Sequence, residues 1–262
     1  MEPKVNNGVP HSQLTTEQRI AASKRPAGMP IMHQSWDKLL FLNWEVTVDT
    51  IRPLIPEPLV IDTFDGSAWL TITPLTIWNV RPPVLPALPY LGWLHELNVR
   101  TYVHCDGVPG VWFFSLDANN LPAVLGARIL FKLPYYSASI SLGSENNKVS
   151  FDSKRSDGKA SFEAGWVVGS RLPFSEPGSL QYFLTERYSL YTADERDIFR
   201  CRIHHRAWPL QETSELSNFK SNMFEVAEMP TPVGPPIQYC GGPVDVDVWP
   251  LEKVAERLSN TR

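Results

Sequence analysis

Segments rich in β-branched and aromatic residues recur along this chain with 24 prolines scattered among them, which bounds the fold first to short strands rather than long helices. Proline has no N–H to give to a strand ladder, so it confines strands to short pieces or edges. The stretches Leu39–Val48, Ala68–Val80, Asn98–His104, Val111–Leu116, Ala138–Leu142, Lys148–Ser153, Ala160–Val168 and Ile198–His204 read as strands, with Gly, Asn or Pro between many of them. Several alternate with period two. In Asn98-Val99-Arg100-Thr101-Tyr102-Val103-His104 the alternation predicts one wet and one packed face.

Helices are fewer. Asn119 or Asn120 can cap one that begins at Leu121-Pro122, where an early proline is harmless, and Pro134 limits its far end. Pro177-Gly178-Ser179-Leu180 opens a second, with Leu180, Phe183, Leu184 and Arg187 at helical spacing. A third is expected over Ser214–Glu228 and a weak one over Pro250–Leu258. The proline-rich run Arg81–Pro89 fits neither helix nor central strand and reads as an extended loop, packed on its own surface, over a cavity mouth or against a second subunit. No repeat of solenoid or propeller period is visible.

The 262 residues are 43% hydrophobic and 20% charged, enough for one substantial core, with no compositional break between halves. The expectation is a single domain over residues 31–262, preceded by a flexible arm, residues 1–30, with one helical turn near Thr15–Ala22. A formal charge of -4 argues against nucleic acid, which needs clustered Lys and Arg. Cys105, Cys201 and Cys240 have neither disulfide-framework nor zinc-site spacing. Adjacent His204 and His205 would point to opposite sides of a strand, so no metal site is expected, and no cofactor is implied. Without a signal-peptide core or a membrane-length apolar run, the reading is a cytoplasmic protein that does not engage membranes.

The stretch Leu116–Tyr136, LDANNLPAVLGARILFKLPYY, resembles the centre of the acetoacetate decarboxylase superfamily. There a strand ends in Leu-Asp, a short helix carries Gly-Arg-Glu, and Pro-Lys-Lys follows. Here the order is Leu116-Asp117, Gly126-Ala127-Arg128 and Pro134-Tyr135-Tyr136, with Ile129 in place of the Glu. Asp49–Pro56 resembles the family's early segment, and Glu96 falls where those enzymes carry an acidic site residue. From Trp36 to Trp249 the chain looks closest to a YqjF-like branch, through Phe64–Trp69, Glu96–Val103, Pro109–Phe114, Leu133-Pro134-Tyr135, Thr185–Tyr188 and His205–Pro209. The resemblance implies a mainly β, α+β fold: a double-sheeted β-cone or partly closed barrel around a small pocket, with a few peripheral helices.

In that family the first lysine after the proline forms a Schiff base with a keto acid and the second lowers its pKa. A phenol does neither at neutral pH, and Lys132, near a helix C-terminus, reads as a solvated cation. Glu96 and Tyr135 are the candidate acid/base and electrophilic groups. Arg128 is a candidate carboxylate fork or a buried salt bridge; Arg100, Tyr102, Trp69 and Trp112 are candidate pocket residues, though aromatic residues are more often core. The expected role is binding of a small carboxylate- or carbonyl-bearing ligand, with lyase- or hydrolase-like activity without a lysine imine left open. The alternatives are a non-catalytic binding or sensing module, or a structural protein, on the same fold. A homo-oligomer is compatible with either.

Overall fold

The computed structural model describes residues 11–87, 92–213 and 216–257. Its strands are β1 (His11–Ser12), β2 (Met32–Asp37), β3 (Leu39–Val46), β4 (Val60–Asp62), β5 (Ala68–Arg81), β6 (Trp93–Cys105), β7 (Val108–Ala118) and β8 (Tyr135–Glu145). They continue with β9 (Lys148–Arg155), β10 (Ser161–Arg171), β11 (Ser189–Ala193), β12 (Asp197–His204), β13 (Leu210–Thr213), β14 (Ser217–Ser221), β15 (Ile237–Gly241) and β16 (Val244–Glu256). Among the described residues five α-helices punctuate them: α1 (Thr16–Ser23), α2 (Val48–Ile51), α3 (Leu121–Phe131), α4 (Leu180–Thr185) and α5 (Met223–Val226).

The pairings close two rings that share β5, β6 and β7. One ring runs β5-β2-β16-β12-β11-β7-β6 and back to β5. The other runs β5-β3-β15-β13-β10-β9-β8-β7-β6. Closure into rings leaves few unpaired edges. It also gives the shared strands two buried faces. On β6, Leu97, Val99 and Val103 join the largest apolar core with Leu70, Ile72, Phe151 and Trp166. The alternate residues Leu94, Glu96, Asn98 and Arg100 line a cavity. The period-two pattern therefore marks two interiors, a packed core and a cavity, rather than core and solvent.

Two expected helices are strands. In place of Ser214–Glu228, β14 pairs with β10 and only the four-residue α5 is helical; residues 214 and 215 lie outside the described ones. Ladder pairing with β10 overrides a weak helical period there. The Pro250–Leu258 helix is replaced by β16, with residue 258 outside the described ones. Proline is tolerated because the β12–β16 register slips between Cys201↔Leu251 and Ile203↔Val248, so Pro250 sits in the irregular step where a missing N–H costs no ladder bond.

The stretch expected as an arm is anchored from residue 11 onward. His11-Ser12 pairs with β4. Helix α1 is set by a capping box between Thr15 and Gln18, and its Arg19 forks onto buried Asp62 at 2.7 and 2.8 Å. Trp249 Nε1 donates to Ala27 O at 3.1 Å. Residues 1–10 lie outside the described ones.

Candidate active site

The cavity lies among the strands of the ring that contains β2, β16, β12 and β11, with a volume of ≈ 290 Å³, near the lower end of the ~300–1,000 Å³ usual for ligand pockets. Helix α3 covers part of it. Asn120 caps this helix by accepting from Ala123 N at 3.1 Å, and Pro122, Ala123, Gly126, Ala127, Leu130 and Phe131 border the cavity, Pro122 and Leu130 at its exposed rim, the i, i+4, i+8 spacing of one helical face. Arg128 falls about 200° round the helix from Gly126 at ~100° per residue. It is exposed and donates from Nε to Tyr135 O at 2.6 Å, so it tethers the start of β8 and does not line the cavity.

Most of the wall is aliphatic and aromatic, and the polar groups are concentrated on β6 and its neighbours. Tyr135 donates its hydroxyl hydrogen to Glu96 Oε2 at 2.5 Å, and Asn98 Nδ2 donates to Oε1 at 3.1 Å. Burial raises the Glu96 pKa from its ordinary value, against the hydrogen bonds from Tyr135 and Asn98 and the attraction of Arg100. Burial and the Glu96 charge push the Tyr135 phenol well above 10. The pair is therefore a carboxyl whose ionised form burial disfavours beside a phenol that stays neutral.

Arg100 lines the same wall, with Nε and Nη2 buried and without hydrogen-bond partners. Those two nitrogens form one edge of the guanidinium, the edge that takes a carboxylate side-on. The protein displays that geometry elsewhere: Arg155 grips Asp117 with Nε at 3.1 Å and Nη2 at 2.7 Å. Thr73 Oγ1, Asn98 Oδ1, Arg187 Nη2 and Ser189 Oγ belong to cavity-lining residues and are likewise buried without partners. Buried polar atoms are rarely left unsatisfied, and here several are concentrated along one cavity.

His205, Arg187, Asn98, Thr73 and Ser189 were not singled out from sequence as pocket residues. His205, Arg187 and Asn98 lie in segments that carried the family resemblance; nothing local in Thr73 or Ser189 marks them beyond strand position. Among the described cavity-lining residues Glu96 is the one carboxylate, set against Arg100, Arg187 and His205. Burial drives His205 down to a pKa of about 4, so it is neutral at physiological pH. Its ring stacks on Tyr188 at 4.7 Å, and Nδ1–H donates to Arg206 O at 2.8 Å. Glu186 fixes that corner, accepting from Tyr188 Oη at 2.5 Å and Trp208 N at 2.9 Å.

Trp69, Tyr102 and Trp112 do not line the cavity. Trp69 and Tyr102 pack in an apolar cluster with Phe183 and Leu184, and the Tyr102 hydroxyl meets Thr71 Oγ1 and Leu184 O, both at 2.8 Å. Trp112 packs against the large core. The described part of the proline-rich loop, residues 82–87, stays outside the lining, and Val84 is 92% exposed; Leu88 and Pro89 lie outside the described residues. Tyr136 is a cation–π partner rather than a cavity group, with the Arg155 guanidinium 3.8 Å from its ring centre. Lys132 pairs with Asp194 at 3.1 Å. Cys201 lines the cavity, but burial pushes its thiol up to about 12, which keeps it from acting as a thiolate near neutrality.

The DUF2071 family, described as an uncharacterized conserved protein, matches residues 33–244, and uncharacterized protein YqjF of Bacillus subtilis (strain 168) is 38% identical over 229 residues, 87% of this chain and 94% of that one. The chain belongs to the DUF2071 family. Among solved structures, this DUF2071 protein is similar to the enduracididine biosynthesis enzyme MppR complexed with the condensation product of pyruvate and imidazole 4-carboxaldehyde. That likeness has a TM-score of 0.64 at 10% identity, covering 97% of this chain and 98% of that one. It is also similar to acetoacetate decarboxylase from Legionella pneumophila, with a TM-score of 0.59 at 11% identity over 99% of this chain and 100% of that one. The fold is acetoacetate decarboxylase-like, mainly β with a few helices. Among the described residues no helix is long and apolar enough to cross a membrane.

Proposed function

We propose that this DUF2071 protein binds a small organic acid in the β6-lined cavity, with Arg100 taking the carboxylate and the Glu96–Tyr135 pair exchanging a proton with a neighbouring carbonyl or carbon. The observation that carries this reading is the buried, unpartnered Nε–Nη2 edge of Arg100 on the same wall as Glu96 and Tyr135. Buried guanidinium nitrogens without hydrogen-bond partners are costly, and a bidentate carboxylate satisfies both. The protonated Glu96 donates and its carboxylate accepts, while Tyr135 offers a neutral hydrogen bond to developing negative charge. The chemistry is lyase- or hydrolase-like and proceeds without a lysine imine: no lysine is among the described lining residues, and Tyr135 and Tyr136 follow Pro134.

A second reading, a non-catalytic binding or sensing protein, draws on the engagement of both Glu96 oxygens, by Tyr135 and Asn98. Pyruvate and acetoacetate incubated with the protein in D2O separate the two. Acid–base catalysis predicts deuterium entering at the carbon beside the carbonyl, lost in Glu96→Gln and slowed in Tyr135→Phe. Binding without exchange selects the second reading. Borohydride added to the acetoacetate incubation should leave the protein mass unchanged, and a reduced adduct on Lys132 would overturn the imine-free chemistry.

A further inference from the structure

Asp62, at the end of β4, is fully buried and carries two arginines. Arg19 of α1 forks onto it, Nη2 to Oδ1 at 2.7 Å and Nη1 to Oδ2 at 2.8 Å. Arg187, two residues beyond α4, donates Nη1 to Oδ2 at 2.6 Å and Nε to Phe183 O at 2.8 Å. Both guanidiniums lie over the Phe183 ring, at 4.8 and 4.3 Å from its centre. One carboxylate faces two cations, which leaves an excess positive charge in the interior. Burial lowers Arg187 only to about 10, so it stays charged at neutral pH.

Arg187 also lines the cavity, and its Nη2 is the nitrogen without a partner. The reason lies in the sharing of Asp62. An arginine alone with a carboxylate settles into a two-bond fork; here the Arg19 fork spans both Asp62 oxygens, Arg187 shares only Oδ2 while its Nε is held by Phe183 O, and Nη2 stays free. We propose that Arg187 is a second anion-binding group of the cavity, and that Arg19 is a positioning residue which, by occupying Asp62, keeps Arg187 turned towards the ligand. The Arg100 and Arg187 guanidinium carbons lie 5.9 and 4.6 Å from the centre of the Tyr102 ring, so the two cations belong to one neighbourhood. Docking of α1 and anion binding are then reciprocally coupled. This rests on the reading of the cavity as an organic-acid site.

The full chain and its Arg19→Met, Arg19→Lys, Arg100→Gln and Thr15→Ala variants are titrated with sodium pyruvate by calorimetry, and ligand-free Arg19→Met is crystallised. Arg19→Met should weaken pyruvate binding about five- to tenfold, within the range of ordinary coupling energies. Arg19→Lys, with one ammonium on one oxygen, should fall between Arg19→Met and wild type. Thr15→Ala lowers stability at the α1 cap without touching Asp62 and should bind as wild type does. In the Arg19→Met crystal, Arg187 should close a two-bond fork on Asp62. Wild-type affinity in Arg19→Met, or Arg187 still singly bonded to Asp62 there, overturns the inference. If pyruvate binds but Arg100→Gln binds equally well, the organic-acid reading of Arg100 fails instead. If wild type binds no pyruvate, the Arg187 geometry in the Arg19→Met crystal decides the inference alone, a retained single bond overturning it. Should Arg19→Met not fold, Arg19→Lys supplies both measurements.

Discussion

Tyr135 opens β8 with its hydroxyl bonded to Glu96 of β6, joining the segment after Pro134 to one of the three strands that the two rings share. The contact crosses 39 residues of sequence, and it places a phenol beside a carboxyl whose ionised form burial disfavours.

That environment has a pH signature. A carboxyl whose pKa is higher folded than unfolded reduces stability as pH rises through its unfolded and then its folded value, because ionisation costs more in the cavity wall than in water. Glu96→Gln removes this loss. Relative to wild type, the variant's thermal midpoint should rise on going from about pH 4 to about pH 8, spanning ordinary carboxyl titration and its upward extension. Melting curves that move in parallel across that range would show that Glu96 ionises as readily in the fold as in the unfolded chain.

Gly126 gives a test of the cavity that leaves its polar groups intact. A Cβ built there meets no atom within 4 Å, and the residue sits on the inward face of α3. Gly126→Ala should stabilise the protein by about 0.5–1 kcal/mol through helix propensity. Gly126→Leu should keep the thermal midpoint at or above wild type while filling the space next to the β6 wall and abolishing carboxylate binding. A Leu variant that melts well below wild type would mean that this face of α3 is closely packed.

The His205 imidazole reports on the same cavity from the other side. With an ordinary pKa of 6.5 lowered to about 4 in the fold, the unfolded chain binds the proton first, so stability present above about 6.5 is lost as pH falls towards 4. The slope is at most ~1.4 kcal/mol per pH unit for one proton. His95, His104 and His204 are lowered in the same direction, so the informative quantity is a difference. His205→Phe, which keeps the ring contacts with Tyr188 and Trp208, should show a shallower loss by urea titration between those pH values. An unchanged slope assigns the acid sensitivity to groups other than His205.

Much of the β framework was legible because its signals are local: β5, β6, β7 and β9 carry β-branched and aromatic runs, and the Asn120 cap and Leu121-Pro122 start of α3 are readable in a few residues. The short β11, β13 and β15 were not, since they are strands by virtue of the neighbours they pair with. The same division holds at the site. Glu96, Tyr135 and Arg100 could be nominated from motif position and alternation. Arg128 could not be placed from its motif, because the inward face of α3 is set by docking over the cavity and the residue falls on the opposite side. Arg187 and His205 come from segments far along the chain, and nothing local says that Asp62 and Arg19 hold one of them at the cavity wall.

The most direct measurement is equilibrium dialysis of the full chain against an equimolar mixture of short aliphatic, keto and aromatic carboxylic acids, read by mass spectrometry, beside Arg100→Gln and Gly126→Leu. The cavity, with its apolar walls and the unpartnered edge of Arg100, predicts that wild type retains one acid or a narrow set, that Arg100→Gln retains at least tenfold less, a loss of about 1.4 kcal/mol or more, and that Gly126→Leu retains none. Equal retention by all three proteins, or no retention by wild type, would contradict the organic-acid site.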